Sequence, residues 1–297
     1  MSAGATSSGV RPASRRRELP ASVIVGSVLV LIVVAFIALV PVLPGYDPYG
    51  QDLLSGLEWP LATGETRRFW LGSDALGRDV LSRVALAGRI SLGISLTAVA
   101  LSFSIGVLSG TLAGFFGGTV ETAITALADL QLSVPRVLLL IAAAALAGPS
   151  ATALTILLGI TGWASYCRVA RALTLSLRSR DYVQAAVTLG TGPASSIRQH
   201  ILPNVLPHMF ILATFDLGQV IVLEASMSYL GLGVQPPLPS WGGMMSEGQN
   251  YLEIAPWIAL APGVAVFLLV AGIQLVSQYL TAEGKADADA PIKPPPA

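Results

Sequence analysis

Long apolar runs alternate with short polar segments along this chain, and six of the runs are long enough to cross a bilayer. About 20 consecutive apolar residues are needed for a helix to span the hydrocarbon core. The pattern therefore predicts an all-α, polytopic membrane protein with six transmembrane helices. The predicted spans are 21–43, Ser91–Phe116, Thr119–Ala147, Ala151–Ala172, Asn204–Tyr229 and Ile254–Leu280.

The polar segments between and beyond these runs divide the chain. Residues 1–20 are predicted to be a disordered cytosolic arm, and residues 281–297 a disordered tail. Residues 44–90 are predicted to form an extracytoplasmic loop with an amphipathic helix lying at the membrane surface, and residues 91–280 a core of five spans. Arg15, Arg16 and Arg17 precede the first span, which is too long for a signal peptide. Six spans then place both termini in the cytosol.

Composition supports this class and excludes others. Hydrophobic residues make up 53% of the chain and charged residues only 11%, which is typical of a membrane protein. The net charge is zero, so nothing indicates binding to nucleic acid, whereas membrane lipid is an expected neighbour. Arginine far outnumbers lysine, which favours a bacterial source and thus the bacterial plasma membrane.

Two features inside the spans predict how the helices pack. Gly106, Gly110 and Gly114 recur at four-residue intervals, which is typical of a ridge of small residues where another helix approaches closely. Pro135 lies inside the third span, where a proline removes a helical hydrogen bond and predicts a kink.

The polar segment 178–203 lies between the fourth and fifth spans and is predicted to be a cytosolic helix–turn–helix elbow. Asp181 is predicted to cap its first helix, with Gln184 completing a capping box. Gly190 would end that helix, and Pro193 would begin a second helix that Pro203 ends. One face of the first helix carries residues at helical spacing, namely Tyr182, Ala185, Ala186 and Leu189.

Charged and polar residues also occur inside the apolar spans. Such residues are costly at membrane depth, so they usually face a bundle interior, a water-filled path or one another. One interpretation is that they line a translocation pathway. The alternatives are buried pairing, for example of Arg136 with Asp129, or a role for Glu224 in holding the loop that follows. The residues are Asp129, Arg136, Asp216, Gln219 and Glu224.

No pattern in the sequence predicts catalysis. The chain contains no G-x-x-x-x-G-K-[ST] motif, so no ATPase site of its own is expected. One cysteine excludes an intrachain disulfide, and His200 and His208 lack neighbouring ligands, so no metal site is expected. An ion-driven secondary transporter and a membrane scaffold without transport activity remain alternative functions.

Several motifs together resemble the permease subunits of ABC importers of the dipeptide/oligopeptide/nickel class. The elbow is similar to that family's coupling loop in Gln184-Ala185-Ala186, Gly190 and Ile201-Leu202-Pro203, although the family's leading acid is Gln184 here. The segments 71–83, 114–118 and 224–237 are similar to further signatures of this class.

This resemblance implies the fold of a type I ABC importer permease, the MetI-like bundle. It also implies a second homologous permease subunit, two ATP-binding subunits that hold ATP and Mg²⁺, and an extracytoplasmic substrate-binding protein. The chain itself would hold no cofactor. Dipeptides or oligopeptides are the expected cargo, and nickel is the alternative.

Overall fold

The structure, a computed structural model, describes residues 20–63 and 68–288, and within these ranges it is helical apart from turns and two isolated β-bridges. The predicted arm, up to residue 19, and the tail from residue 289 lie outside the described residues. Ten α-helices occur in the described ranges: α1 (Ala21–Leu39), α2 (Val80–Phe116), α3 (Gly118–Leu132), α4 (Arg136–Ala147), α5 (Ala151–Arg178), α6 (Asp181–Thr188), α7 (Pro193–Ser196), α8 (Leu202–Tyr229), α9 (Trp241–Gln249) and α10 (Trp257–Ala288). Short 3₁₀ turns lie at Val40–Val42 and Leu53–Ser55, and a π-helical turn lies at Ile197–Ile201.

The helices confirm an all-α, polytopic architecture. By length and composition, α1, α2, α5, α8 and α10 could each cross a membrane. The pair α3 and α4 passes the same criterion when it is counted as one bent span, which gives the predicted number of six.

Pro135 breaks the third span rather than kinking it. The pair α3 and α4 is bent by 87°, and Pro135 lies just before α4 with extended backbone (ψ 124°). The helix α4 has 12 residues and a length of roughly 18 Å, which is too short to cross a membrane alone. The prediction of a continuous kinked helix over Thr119–Ala147 was therefore wrong, because proline cannot donate the hydrogen bond that would continue the helix.

The amphipathic helix predicted at the membrane surface is instead the beginning of α2. This helix starts at Val80, not at Ser91, and the Asp79 carboxylate caps it by accepting a 2.9 Å bond from the Ser82 N–H. Val80 and Val84 are buried, and the Trp241 indole N–H donates to the Val84 carbonyl at 3.1 Å. Apolar residues that suggested a lipid-facing surface therefore contact other helices.

Three other boundaries also differ from the predictions. The fourth span extends to Arg178, well past Ala172. The last helix, α10, begins at Trp257 and continues to Ala288, so residues 281–288 are helical rather than a disordered tail. The polar region before α10 is also partly folded, because α9 lies within it.

The helices α2 and α5 pack along each other more extensively than any other pair in the described ranges. The three ridge glycines lie at this contact. A methyl group at Gly106 would lie 2.4 Å from the Trp163 carbonyl oxygen, and one at Gly110 would lie 2.3 Å from that of Cys167. One at Gly114 would meet α5 as well, so the two backbones approach too closely for any larger residue.

Candidate functional site: the elbow and the intramembrane charges

The elbow, defined as residues 178–203, is attached to the bundle by buried apolar side chains. Val183 of α6 is 1% exposed and belongs to a core cluster with Leu177, Ile201 and Val205. Phe115, near the end of α2, belongs to the same cluster. The short helix α6 is thus held against the ends of three longer helices.

The predicted face of α6 points away from this cluster. Tyr182 is 46% exposed, Ala185 is exposed, and Leu189 is 87% exposed. Ala186 lies half-buried at the border of the exposed surface. An anchored helix that presents apolar side chains to solvent has the geometry of a helix that docks into a groove.

The turn after α6 requires glycine. Gly190 has a φ of +89°, and the Thr191 N–H donates to the Ala186 carbonyl at 3.1 Å, which is the hydrogen bond of a Schellman motif. No atom lies within 4 Å of a methyl group built at Gly190, so the turn is open to solvent. Pro193 occupies the first position of α7. A backbone N–H at this position has no hydrogen-bond partner within the helix, so its absence in proline costs no helical hydrogen bond.

Pro203 does not end the second helix of the elbow, contrary to the prediction. The chain continues from α7 through the π-helical turn into α8, and Pro203 is the second residue of α8. The Leu202 N–H donates to the Ile197 carbonyl, one residue further back than in an α-helix. We attribute the continuity to this wider turn, which relieves the clash between a proline ring and the preceding turn. Ile201 is buried, Leu202 half-buried and Pro203 exposed.

The predicted capping box is absent from the described contacts of α6. Asp181 is the first helical residue rather than the cap, because the N–H groups of Val183 and Gln184 both donate to the Arg180 carbonyl. The Gln184 amide donates to the Ser179 carbonyl at 3.4 Å, so it reaches the preceding turn and not a backbone N–H.

Two of the candidate pathway residues form an ion pair with each other. Arg136, at the start of α4, lies 3.4 Å from the Asp216 carboxylate of α8. The Tyr166 hydroxyl donates to the second Asp216 oxygen at 3.0 Å, and Arg136 also donates to the Leu158 carbonyl at 3.0 Å. The suggested pairing of Arg136 with Asp129 was wrong, since the break at Pro135 directs α4 towards α5 and α8.

Asp129 forms an ion pair with Arg168 of α5 instead, at 2.7 Å. Both side chains are about three-fifths exposed, at 63% and 60%. Gln219 of α8 is exposed as well. Exposed charges within membrane helices face water or protein rather than lipid, so these surfaces are not expected to contact acyl chains.

Glu224 is enclosed by the protein. It has no exposed surface, and its carboxylate accepts a 2.9 Å hydrogen bond from the Ser228 hydroxyl. The Val234 N–H in turn donates to the Ser228 oxygen at 3.4 Å. These contacts connect the end of α8 to the loop that follows, which favours the loop-holding alternative over the pathway for this residue.

Sequence reasoning missed a group of four charges at the end of the bundle opposite the elbow. We call Asp74, Arg78, Arg83 and Glu247 the ion cluster. Arg83 contacts both acids, at 3.0 Å for Glu247, and Arg78 lies 2.6 Å from Asp74. Asp74 and Arg78 are four residues apart, so their spacing could have suggested an ion pair. Glu247 is more than 160 positions from Arg83, and no pattern in the sequence indicates this contact.

Residues 106–282, more than half of the chain, match the family described as the binding-protein-dependent transport system inner membrane component. The chain belongs to this family. It is therefore a multi-pass protein of the inner membrane and a permease subunit of an ABC importer, not an enzyme. Members of the family work with a separate substrate-binding protein and with ATPase subunits.

The chain is also similar to curated permease proteins of this kind. The chain is 36% identical to the di/tripeptide transport system permease protein DppC of Pseudomonas aeruginosa over 86% of its own length and 85% of the relative's. It is also 36% identical to the nickel transport system permease protein NikC of Escherichia coli K12, over 85% and 91% of the two chains. The oligopeptide permease protein OppC of Bacillus subtilis is 32% identical, over 86% and 82%.

A solved structure confirms the fold of a type I importer permease. The chain resembles a chain of the inward-facing MetNI methionine ABC transporter with a TM-score of 0.54 and 19% identity. The similarity covers 68% of this chain and 95% of the other. At this level of identity the comparison concerns architecture and not cargo.

Proposed function

We propose that this permease imports dipeptides or oligopeptides, driven by ATP and Mg²⁺ bound to two partner ATPase subunits. A second, homologous permease subunit would form the other half of the translocation pathway. The names of several relatives, which transport dipeptides, tripeptides or oligopeptides, support this cargo. Nickel remains a second candidate, because a nickel permease is equally similar.

The exposed face of the anchored helix α6 is the observation that carries the mechanism. We expect Tyr182, Ala185 and Leu189 to enter a groove on an ATPase subunit. Val183 on the opposite side ties α6 to the ends of α2, α5 and α8, so movement of the groove would be transmitted to these helices. Nucleotide-driven closure of the ATPases would thereby alternate access to the pathway.

The intramembrane charges supply the polar surface of the proposed pathway. Peptides carry a charged amino group, a charged carboxylate and polar amides, all of which need partners once water is removed. The exposed pair Asp129–Arg168 and the amide of Gln219 offer such partners. The more enclosed pair Arg136–Asp216 would fix the break between α3 and α4.

Transport by the assembled complex tests the cargo. Proteoliposomes containing the permeases, the ATPases and the cognate binding protein should accumulate a labelled dipeptide or oligopeptide upon addition of ATP. Nickel uptake under the same conditions, with no peptide uptake, would instead establish the second candidate. Omission of the binding protein is the control for nonspecific entry.

We further propose that the elbow is cytosolic and that residues 44–90 are extracytoplasmic. Leu54, which is 80% exposed, and Ala194 in the elbow can each be replaced by cysteine in a Cys167→Ala background. A membrane-impermeant maleimide should label the first in intact cells and the second only after permeabilisation. The opposite pattern would reverse the orientation.

A further inference from the structure

The helices α1 and α10 approach each other most closely around two glycines, and a groove lies between them further along α1. A methyl group at Gly26 would lie 2.8 Å from the Gly272 carbonyl oxygen, and one at Gly272 would lie 2.8 Å from that of Gly26. The two glycines therefore fix the crossing point near the beginning of α1. Towards the end of α1, side chains of both helices line an open groove, while Val33 and Ile37 remain packed against α10.

This groove has a volume of about 570 Å³ and lies on the surface of the molecule. Its sides are formed by Phe36 of α1 and by Val264 and Leu268 of α10, and its floor includes Val84 of α2. Leu71 closes one end, next to Trp257. All of these side chains are apolar, so the groove offers no hydrogen bond to water or to a polar ligand.

The dimensions of the groove fit one leaflet of a bilayer. From Trp257 to Leu268 the helix α10 rises by roughly 16 Å, and half of the hydrocarbon core measures about 15 Å. The groove is open along its side, as a site filled from the surrounding lipid must be.

The end of the groove near Trp257 has the residues of a membrane–water interface. Trp59 packs on Trp257 with 4.9 Å between ring centroids, and Trp59 itself is 67% exposed. The Arg68 guanidinium lies 4.7 Å from the ring centre of Trp70, which is 54% exposed. Tryptophan is enriched at the level of lipid headgroups, and arginine binds phosphate through its fork of N–H donors.

We propose that this groove binds one acyl chain of a phospholipid, with the headgroup phosphate beside Trp59, Trp70 and Arg68. The bound chain fills the space between α1 and α10 and completes the packing of α1 on the bundle. The groove does not depend on the transport function proposed above. Because Pro60 and Leu71 line the groove, the bound lipid would belong to the outer leaflet, and this assignment alone rests on the extracytoplasmic location proposed above for residues 44–90.

Retention of lipid by the purified, assembled transporter tests this proposal. After extensive detergent washing, phospholipid is extracted and quantified per complex by mass spectrometry. Ala261→Trp and Val264→Trp place an indole in the groove and should remove most of the retained phospholipid. Leu31→Trp adds the same side chain to an exposed position of α1 outside the groove, where Leu31 is 66% exposed, and should leave retention at the wild-type level.

A second measurement decides the matter if the tryptophan variants fail to assemble. A photoreactive benzophenone amino acid replaces Val264 in one sample and Leu31 in another, and both washed complexes are irradiated. Cross-linking to phospholipid at position 264 and its absence at position 31 are the expected results. Equal lipid retention in all variants, or a cross-link from position 264 to protein, would overturn the proposal, and the latter would identify a partner helix as the occupant.

Discussion

The elbow and the ion cluster lie at opposite ends of α2, and each holds a polar segment against an apolar helix bundle. In the elbow the anchor is apolar, through Val183 and Ile201, and most of the surface of α6 is left exposed. In the ion cluster the anchor is ionic: Arg83 and Asp74 are 3% exposed each, and each charge has a partner. A segment whose groups are all satisfied internally has little to offer to a partner protein, whereas one with an exposed apolar face does.

The helix α2 joins the two regions, so replacing its closest contact with α5 should affect both. Gly110→Leu would place a side chain where even a methyl group lies 2.3 Å from the Cys167 carbonyl oxygen. We expect a loss of at least about 3 kcal/mol, the upper range for overpacking, and no stable complex in size-exclusion chromatography. Gly93→Leu is the matched control on the same helix, since no atom lies within 4 Å of a methyl group there. Comparable elution of both variants would show that the ridge does not determine packing.

The ion cluster is expected to contribute to stability. Arg83→Ala leaves the buried carboxylate of Asp74 with one partner fewer, and removal of one member of a buried pair costs about 3 kcal/mol. A lower unfolding temperature of the purified complex would reveal this loss. Arg168→Ala removes one member of the exposed pair with Asp129 and should cost about 1 kcal/mol or less. A larger shift for Arg168→Ala than for Arg83→Ala would contradict the distinction drawn between the two kinds of pair.

The elbow is expected to contribute to coupling and not to stability. Gly190→Glu adds a bulky charge beside the exposed face of α6, and Ala186→Asp adds one at its border. Each should reduce transport and substrate-stimulated ATP hydrolysis by about tenfold or more, the effect of losing about 1.4 kcal/mol of docking free energy. The permease itself should remain folded.

Two measurements separate docking from backbone strain in this experiment. Gly190→Asn introduces a residue that tolerates the left-handed conformation at φ +89° and carries no charge. This variant should therefore retain transport. Co-elution of the ATPase subunits reports docking directly. Normal co-elution and ATP hydrolysis in Gly190→Glu would mean that the elbow is not the coupling element.

Gln184→Ala should have the smallest effect. The Gln184 side chain is exposed and makes a long hydrogen bond of 3.4 Å to the Ser179 carbonyl, worth about 1 kcal/mol at most. Transport within about twofold of wild type is the expected result in the reconstituted complex. The lost hydrogen bond lies within the permease, so about 1 kcal/mol of local stability is removed and the docking free energy of α6 is unchanged. A loss as large as that of Gly190→Glu would show that this amide contacts the ATPase itself.

Two local features of the sequence predicted the corresponding features of the structure. Apolar run length located the membrane helices, and the requirement for glycine at a left-handed turn identified Gly190 as the end of α6. The partner of Arg136 could not be predicted in this way. It lies 80 residues away in sequence and is brought close only by the sharp break at Pro135.

The spacing of apolar residues also could not show whether an apolar helix face contacts lipid or protein. The residues Val80 and Val84 have the spacing of a helix on a membrane surface, but α9 and α10 cover them. In the elbow, proline chemistry suggested a helix end at Pro203. A single π-helical turn lets the helix continue past Pro203 instead, and nothing in the composition of 197–201 indicates such a turn.

The uninterrupted path from Pro193 to Tyr229 has a mechanical consequence. These 37 residues form one continuous helical segment, called the rod here, which contains Pro207 and measures at most roughly 55 Å from the elbow to the loop held by Glu224. If the rod tilts by about 5° around its middle, each end moves by about 2.4 Å in opposite directions, given that length. A rod of this kind needs no chain of small side-chain rearrangements to connect the two faces of the membrane. The turn at Gly190–Gly192 then lies between α6 and the rod. Under the coupling proposed above, this turn would set the angle at which movement of an ATPase subunit reaches the rod.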